Sequence, residues 1–209
     1  MKLDGSKNQL LETINLVEFR TLSSELQHQF KQLHADLLPV RYREKFYREL
    51  LILNDQVALV AVLDRSSDYS NISDKSENQR EQPLKTVVGF ATGKIAEYEN
   101  CCRRCSGYIM TLGTSSDYRG RGIGGRLLDS LLLRLNEMGA VDITLHCTTK
   151  NEPAIALYVS RGFTLVQKLE NHYHFHEKYH DAFLFSLVGA STCKNWWVAS
   201  LFRRICCKR

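Results

Sequence analysis

Tyr118-Arg119-Gly120-Arg121-Gly122-Ile123-Gly124-Gly125-Arg126-Leu127-Leu128 decides how this chain is read. It follows an apolar, strand-like run, Tyr108-Ile109-Met110-Thr111-Leu112-Gly113, and opens a stretch where Leu127, Leu128, Leu131, Leu132 and Leu135 recur at helical spacing. Glycines at alternate positions leave the backbone bare, so several N–H groups can converge on one anion. The helix that follows adds its unsatisfied first-turn donors and the positive end of its dipole. Arg119, Arg121 and Arg126 supply charge suited to phosphate or pyrophosphate. The pattern predicts a phosphorylated cofactor.

Three phosphate-loop types compete for this stretch. A Walker loop needs Lys and then Ser or Thr after its last glycine, but Arg126 and Leu127 stand there. Gly120, Gly122 and Gly125 satisfy the dinucleotide spacing G-x-G-x-x-G, a weak signal alone. That motif also wants an acid at the end of the next strand, whereas Asp142-Ile143-Thr144-Leu145-His146-Cys147 ends in His and Cys. Arg119-x-x-Gly122-x-Gly124 resembles the R/Q-x-x-G-x-G/A loop of the GCN5-related N-acetyltransferases (GNAT), which grips the pyrophosphate of acetyl-CoA. Asn151, Ala154-Ile155-Ala156-Leu157-Tyr158 and Arg161-Gly162-Phe163 resemble that family's N-x-x-A-(I)-x-x-Y-x-x-x-G-F segment. The resemblance spans roughly residues 14–187. Within it, Leu38-Pro39-Val40-Arg41-Tyr42, the run 108–113 and Leu145-His146-Cys147-Thr148-Thr149 are most similar to the NatF-type enzymes of the Golgi membrane, then to NatE-type catalytic subunits.

That resemblance implies an α/β fold of the GNAT type: a central mixed, mostly antiparallel sheet with splayed fourth and fifth strands and flanking helices. It implies acetyl-CoA as cosubstrate, with the acetyl group passing to an amine by direct attack in a ternary complex. Tyr108 and His146, on the two splayed strands, are implied as the general-base pair, and Tyr158 as the donor to the departing thiolate. Leu112, Gly113 and Thr114, then Arg119, Gly120, Arg121, Gly122, Ile123, Gly124 and Gly125, are expected along the cofactor, with Asn151 and Tyr158-Val159-Ser160-Arg161 beside pantetheine. Leu38, Tyr42, Met110, His172 and Tyr173 are expected to form the peptide pocket. Arg41 and His172 depart from the NatF pattern, where Glu and Tyr would stand, which removes a carboxylate partner for an ammonium group.

Residue chemistry is compatible with those roles. Imidazole accepts a proton near neutral pH. An α-amine has a pKa of about 8 against about 10.4 for lysine, a difference worth roughly 3 kcal/mol in presenting the neutral amine. N-terminal acceptors are thus favoured over lysine without excluding it. Cys147 lacks an activating partner and reads as a structural thiol rather than a nucleophile. Taken singly, Tyr108, His146 and Tyr158 could each be packing residues; their joint placement around the loop favours chemistry. His172, His174 and His176 alternate onto one strand face, but Tyr173 and Phe175 between them favour an ordinary strand over a metal site.

Composition sets outer bounds. At 209 residues and 44% hydrophobic content, one domain with tails is expected. The net charge of +5 is carried by Lys194, Arg203, Arg204, Lys208 and Arg209; without them acids and bases balance at 23 each. A neutral body speaks against a general nucleic-acid binder. Seven cysteines, an odd number, and no cleavable leader predict reduced thiols facing the cytosol. Cys102-x-x-Cys105, with Cys101 beside it, lacks the second pair that a structural zinc site wants, so no metal is expected.

Hydropathy patterning divides the chain into a loose amino terminus (1–12), the acetyltransferase domain (13–188) and a tail (189–209). Strands are expected at Ile14–Leu22, Val57–Leu63, Thr86–Tyr98, Ser106–Thr114, Asp142–Cys147, Thr164–Leu169 and Asp181–Leu187. Helices are expected from Ser23-Ser24-Glu25 to Pro39, over Arg43–Leu51, Gly120–Met138 and Glu152–Ser160. Residues 65–83 lose all periodicity and read as a disordered loop. In the tail, Trp197, Leu201 and Ile205 recur at helical spacing opposite Ser200, Arg203 and Arg204. This run is far shorter than the roughly 20 residues a span requires. It predicts a peripheral helix on an anionic membrane facing the cytosol, with Cys206 and Cys207 as palmitoylation candidates. A tail covering its own fold or a homodimer contact is the competing reading. For the whole chain, N-terminal acetylation competes with lysine or small-amine acetylation and with a non-catalytic acetyl-CoA-binding membrane module.

Overall fold

The computed structural model describes residues 14–65, 85–97 and 105–189. The expectations for residues 1–12, the loop at 66–83, Cys101 and Cys102, and the tail beyond 189 lie outside them. Seven strands form one sheet: β1 (Ile14–Glu18), β2 (Gln56–Asp64), β3 (Lys85–Glu97), β4 (Cys105–Thr114), β5 (Ala140–Thr148), β6 (Thr164–Phe175) and β7 (Lys178–Val188). Their order is β1-β2-β3-β4-β5-β7-β6, antiparallel except where β4 meets β5 in parallel. Among the described residues four helices flank the sheet: α1 (Ser24–Leu37), α2 (Glu44–Ile52), α3 (Ile123–Glu137) and α4 (Glu152–Ser160).

Strand β2 shows why the sheet is covered on both sides. Val57, Leu59, Ala61 and Leu63 face the cluster built on α3 and α4, while Ala58, Val60 and Val62 face α1 and α2. Both pleat faces are buried, so the strand reads as a continuous apolar run. On α3, Ile123, Leu127, Leu128, Leu131 and Leu135 are fully buried, each stabilising the fold by roughly 2 kcal/mol. Ser23 caps α1 by accepting from the Leu26 N–H at 3.4 Å.

Several boundaries differ from the sequence expectation for local reasons. The first strand stops at Glu18, and Phe19–Thr21 form a 3-10 turn that still buries Phe19 and Leu22. Helix α3 begins at Ile123 rather than Gly120, because Gly120 and Gly122 hold φ of 73° and 80°, outside helical space. Strands β6 and β7 run longer than expected, as a hairpin that includes Tyr173↔His180 and Phe175↔Lys178. His176 lies in its turn at φ 50° rather than on a strand face. His172 stacks on His146 and His174 meets Tyr179, so the three histidines share no site. Among the described residues no cluster fit for a metal ion occurs.

Two features of β4 shape the centre of the molecule. Its register against β3 passes from Thr92↔Thr111 to Gly93↔Ile109, leaving Met110 as an unopposed bulge residue. Its parallel pairing with β5 ends at Ile109↔Leu145, although β4 continues to Thr114 and β5 to Thr148. Beyond that point the strands part, and a cavity opens between them.

Candidate active site

The cavity occupies about 750 Å³ and runs through this gap. Its floor is the unpaired end of the two strands, from Met110 to Gly113 and from His146 to Thr149. Since β4 pairs there with β3 alone, the backbone groups it turns toward β5 lack a strand partner. They are free to receive an extended ligand as an added strand. One wall is the α1–α2 connection, with Leu38 and Tyr42; the other is the β6–β7 hairpin, with Tyr173 and Phe175.

Tyr108 and His146 meet at the point of divergence, the phenol oxygen 3.0 Å from Nδ1. They lie 38 residues apart in the chain and become neighbours only through the Tyr108↔Thr144 register of the parallel pair. Burial raises the Tyr108 pKa, helped by Tyr42, so the phenol is protonated at neutral pH and can donate to Nδ1. Burial, and secondarily the stacked His172 ring at 4.4 Å, lower the His146 pKa, so its imidazole is neutral and able to accept.

Tyr158 lies across the cavity on α4, 7% exposed and packed edge-on to Phe163. Asn151 caps that helix by accepting from the Ala154 N–H at 3.4 Å, which fixes the turn before it. Desolvation drives the Tyr158 pKa far up, with lesser contributions from Cys147 and Tyr173, and keeps the phenol a proton donor. Cys147 is buried, and its thiol is pushed up to about 11, which removes it as a nucleophile near neutral pH.

The glycine loop lies outside the lining and adjoins it at Arg119. A Cβ at Gly120 or Gly122 would meet nothing within 4 Å, so the loop borders open space at the amino end of α3. Helix geometry leaves the N–H groups of Ile123, Gly124 and Gly125 without intrahelical acceptors, while the Arg126 N–H returns to Gly122. Arg119 lines the cavity with its Nε–H bound to the Thr114 carbonyl at 3.2 Å, and Arg121 lies over the Tyr118 ring. This donor set fits a diphosphate.

Several residues expected along the cofactor or substrate have other partners in the structure. Arg161 does not line the channel: its Nε and Nη2 hold the Asp129 carboxylate at 2.8 and 3.2 Å and clamp α4 to α3. Gly125 belongs to that clamp, since a Cβ there would fall 2.6 Å from the Arg161 Nη2. Arg126 donates to the Ile14 carbonyl at 3.3 Å, tying α3 to β1. Val159 and Ser160 also lie outside the lining, Val159 exposed and Ser160 bonded back to the Leu157 carbonyl. His172 lies outside the lining and reaches the site through its stack on His146 and its edge contact with Tyr173.

The sequence reading missed two other groups. His34 is 1% exposed beneath Tyr42, with Tyr47 on its Nδ1 at 3.2 Å and Thr111 on its Nε2 at 3.4 Å. Thr111 continues to Thr92 at 2.7 Å, a buried polar chain joining α1 to the bulged part of β4. His180 lines the cavity with its ring flat on Phe175, 3.9 Å between centroids. A signal for His34 existed in its place on the apolar stripe of α1; His180 could be found only from the hairpin register.

Comparison with known proteins agrees with this geometry. A model of the "Acetyltransferase (GNAT) family" matches residues 28–163. N-alpha-acetyltransferase 50 of Danio rerio is 31% identical over 146 residues, covering 69% of this chain and 73% of that protein. The histone acetyltransferase MCC1 of Arabidopsis thaliana is 26% identical over 182 residues, covering 81% of this chain and 68% of its own. The crystal structure of Arabidopsis thaliana NAA60 in complex with acetyl-CoA matches with a TM-score of 0.66 at 26% identity, over 84% of this chain and 98% of that one.

Proposed function

The chain belongs to the acetyltransferase (GNAT) family and is an N-acetyltransferase, and we propose that it moves acetyl from acetyl-CoA to the free α-amine of protein N-termini. The observation that carries this reading is the Tyr108–His146 pair at the mouth of the strand gap. The relatives named as N-alpha-acetyltransferases support the same acceptor class.

Acetyl-CoA, when bound, supplies an activated acetyl thioester; the loop from Arg119 to Gly125 would hold its diphosphate. The unpaired backbone of Met110 to Gly113 would orient its thioester arm and polarise the carbonyl through N–H groups. An incoming ammonium must lose a proton before it attacks. Tyr108 takes that proton at its phenol oxygen while passing its own to His146 Nδ1, leaving an imidazolium. The α-amine, with its pKa of about 8, is within easy reach of so modest a relay. Tyr158 would protonate the departing sulfur and regain a proton from the nitrogen of the new amide.

A second reading, acetylation of lysine, is favoured by the similarity to a histone acetyltransferase. Incubating the protein with acetyl-CoA and two peptide sets separates them. Turnover of free-amine peptides, and none of amino-terminally blocked lysine peptides, supports the first; the reverse overturns it. A chain stabilised by CoA yet without turnover on either set would be a binding module.

The tail directs this activity to a cytosol-facing membrane, with transmembrane proteins among the substrates; the resemblance to NatF-type enzymes points to the Golgi. The amphipathic run from Trp197 to Cys206, basic and free of acids, supports that placement. Among the described residues no helix is long and apolar enough to cross a bilayer. A chain ending near residue 190 should leave anionic vesicles that the full chain binds; equal binding by both would refute the membrane role.

A further inference from the structure

Resting on the N-terminal acetyltransferase reading, we infer that the peptide end of the cavity selects substrates with an acidic residue directly after the first. The charges around that end are one-sided. Asp181 is the sole carboxylate among the residues lining the cavity. It is already held by the Lys168 ammonium at 2.8 Å and by the Asn171 N–H at 3.1 Å. Among the described residues lining the cavity no other carboxylate is left to attract a basic side chain or to hold the entering ammonium.

A cation stands instead on the cavity wall, and two more stand beside residues of the site. Lys150 lines the cavity at the β5–α4 turn, next to Thr149, whose N–H binds the Asp181 carbonyl at 3.1 Å. Arg41 lies between Val40 and Tyr42, which both line the opposite wall. It is exposed and makes no ion pair among the described residues. Lys94 stands 6.0 Å over the ring of the Tyr108 that receives the amine's proton. Such a field favours an anionic side chain close behind the amine and penalises a cationic one.

His180 gives this preference a direction. Its ring is held flat on Phe175, so its orientation is fixed by the hairpin. Its Nε2 is buried and has no hydrogen-bond partner. A buried polar atom left unpaired in a cavity wall gains most from a ligand that completes it. A carboxylate one residue behind the reacting amine would accept from His180 and lie between Lys150 and Arg41.

The test uses the full chain, acetyl-CoA and free-amine peptides identical except for Asp, Ala or Lys at the second position. The Asp peptide should exceed the Lys peptide by about tenfold in kcat/KM at low salt, and the ratio should shrink as salt is added. In the R41E/K150E double variant the ratio should invert; taking it within one protein cancels any general loss of activity. His180→Ala should lower the Asp preference without inverting it, and thermal stabilisation by CoA verifies that each variant is folded. An Asp/Lys ratio at or below one in the unaltered protein overturns this inference while leaving α-amine acetylation intact. Absence of turnover on every free-amine peptide overturns the underlying reading and this inference together.

Discussion

His34 offers the sharpest quantitative test of how the substrate wall is held. The imidazole is enclosed by Phe30, Tyr42, Phe46, Tyr47 and Phe90, and burial pushes its pKa down from 6.5 to about 4. In the unfolded chain it titrates normally, so between pH 6.5 and 4 the unfolded state binds a proton that the folded state refuses. Stability from this group is therefore complete above pH 6.5 and is lost as pH falls toward 4. The depression of about 2.5 units corresponds to roughly 3 kcal/mol in full, of which about 2 kcal/mol is lost between pH 7 and pH 5. That window lies above most carboxylate titrations. His34→Gln removes the titration while retaining a donor and an acceptor for Tyr47 and Thr111. Urea unfolding at pH 7 and pH 5 should show the unaltered protein losing about 2 kcal/mol more than the variant across the interval. Equal losses would refute the placement of a neutral imidazole at the hub of this core.

Three further outcomes follow from the site. Tyr158→Phe should reduce kcat by about 100-fold, the low end of what a positioned proton donor supplies, with KM nearly unchanged; an unaltered kcat in a thiol-release assay would remove Tyr158 from the chemistry. The acid limb of kcat/KM should lie below pH 6.5, because burial and the neighbouring His172 depress the His146 pKa and its basic form is lost only in more acidic solution. A limb above 6.5, or one that persists in His146→Ala, would assign the base elsewhere. Gly122→Ala should cost about 1 kcal/mol of stability through its φ of 80° and weaken CoA binding at least tenfold by calorimetry, as the Cβ enters open space beside the diphosphate donors. Affinity equal to that of the unaltered chain would move the diphosphate away from this loop.

What the sequence determined was local and periodic. The Gly120–Gly125 loop and the leucine stripe of α3 each declare themselves within a turn or two, because anion-binding turns and helix faces use neighbouring residues. The short, nearly continuous apolar run of β2 announced a strand. Tertiary structure decided everything that depends on register. Tyr108 meets His146 because the parallel ladder stops one residue later, at Ile109↔Leu145. His180 faces the cavity because the hairpin places it opposite Tyr173. Arg126, read in one dimension as charge for a phosphate, and Arg161, read as lying beside pantetheine, turn to the Ile14 carbonyl and Asp129 once the helices pack. The reason is physical: a side chain's local propensity is fixed by its neighbours in the chain, whereas its partner is whichever group the packed sheet and helices bring within 3 Å.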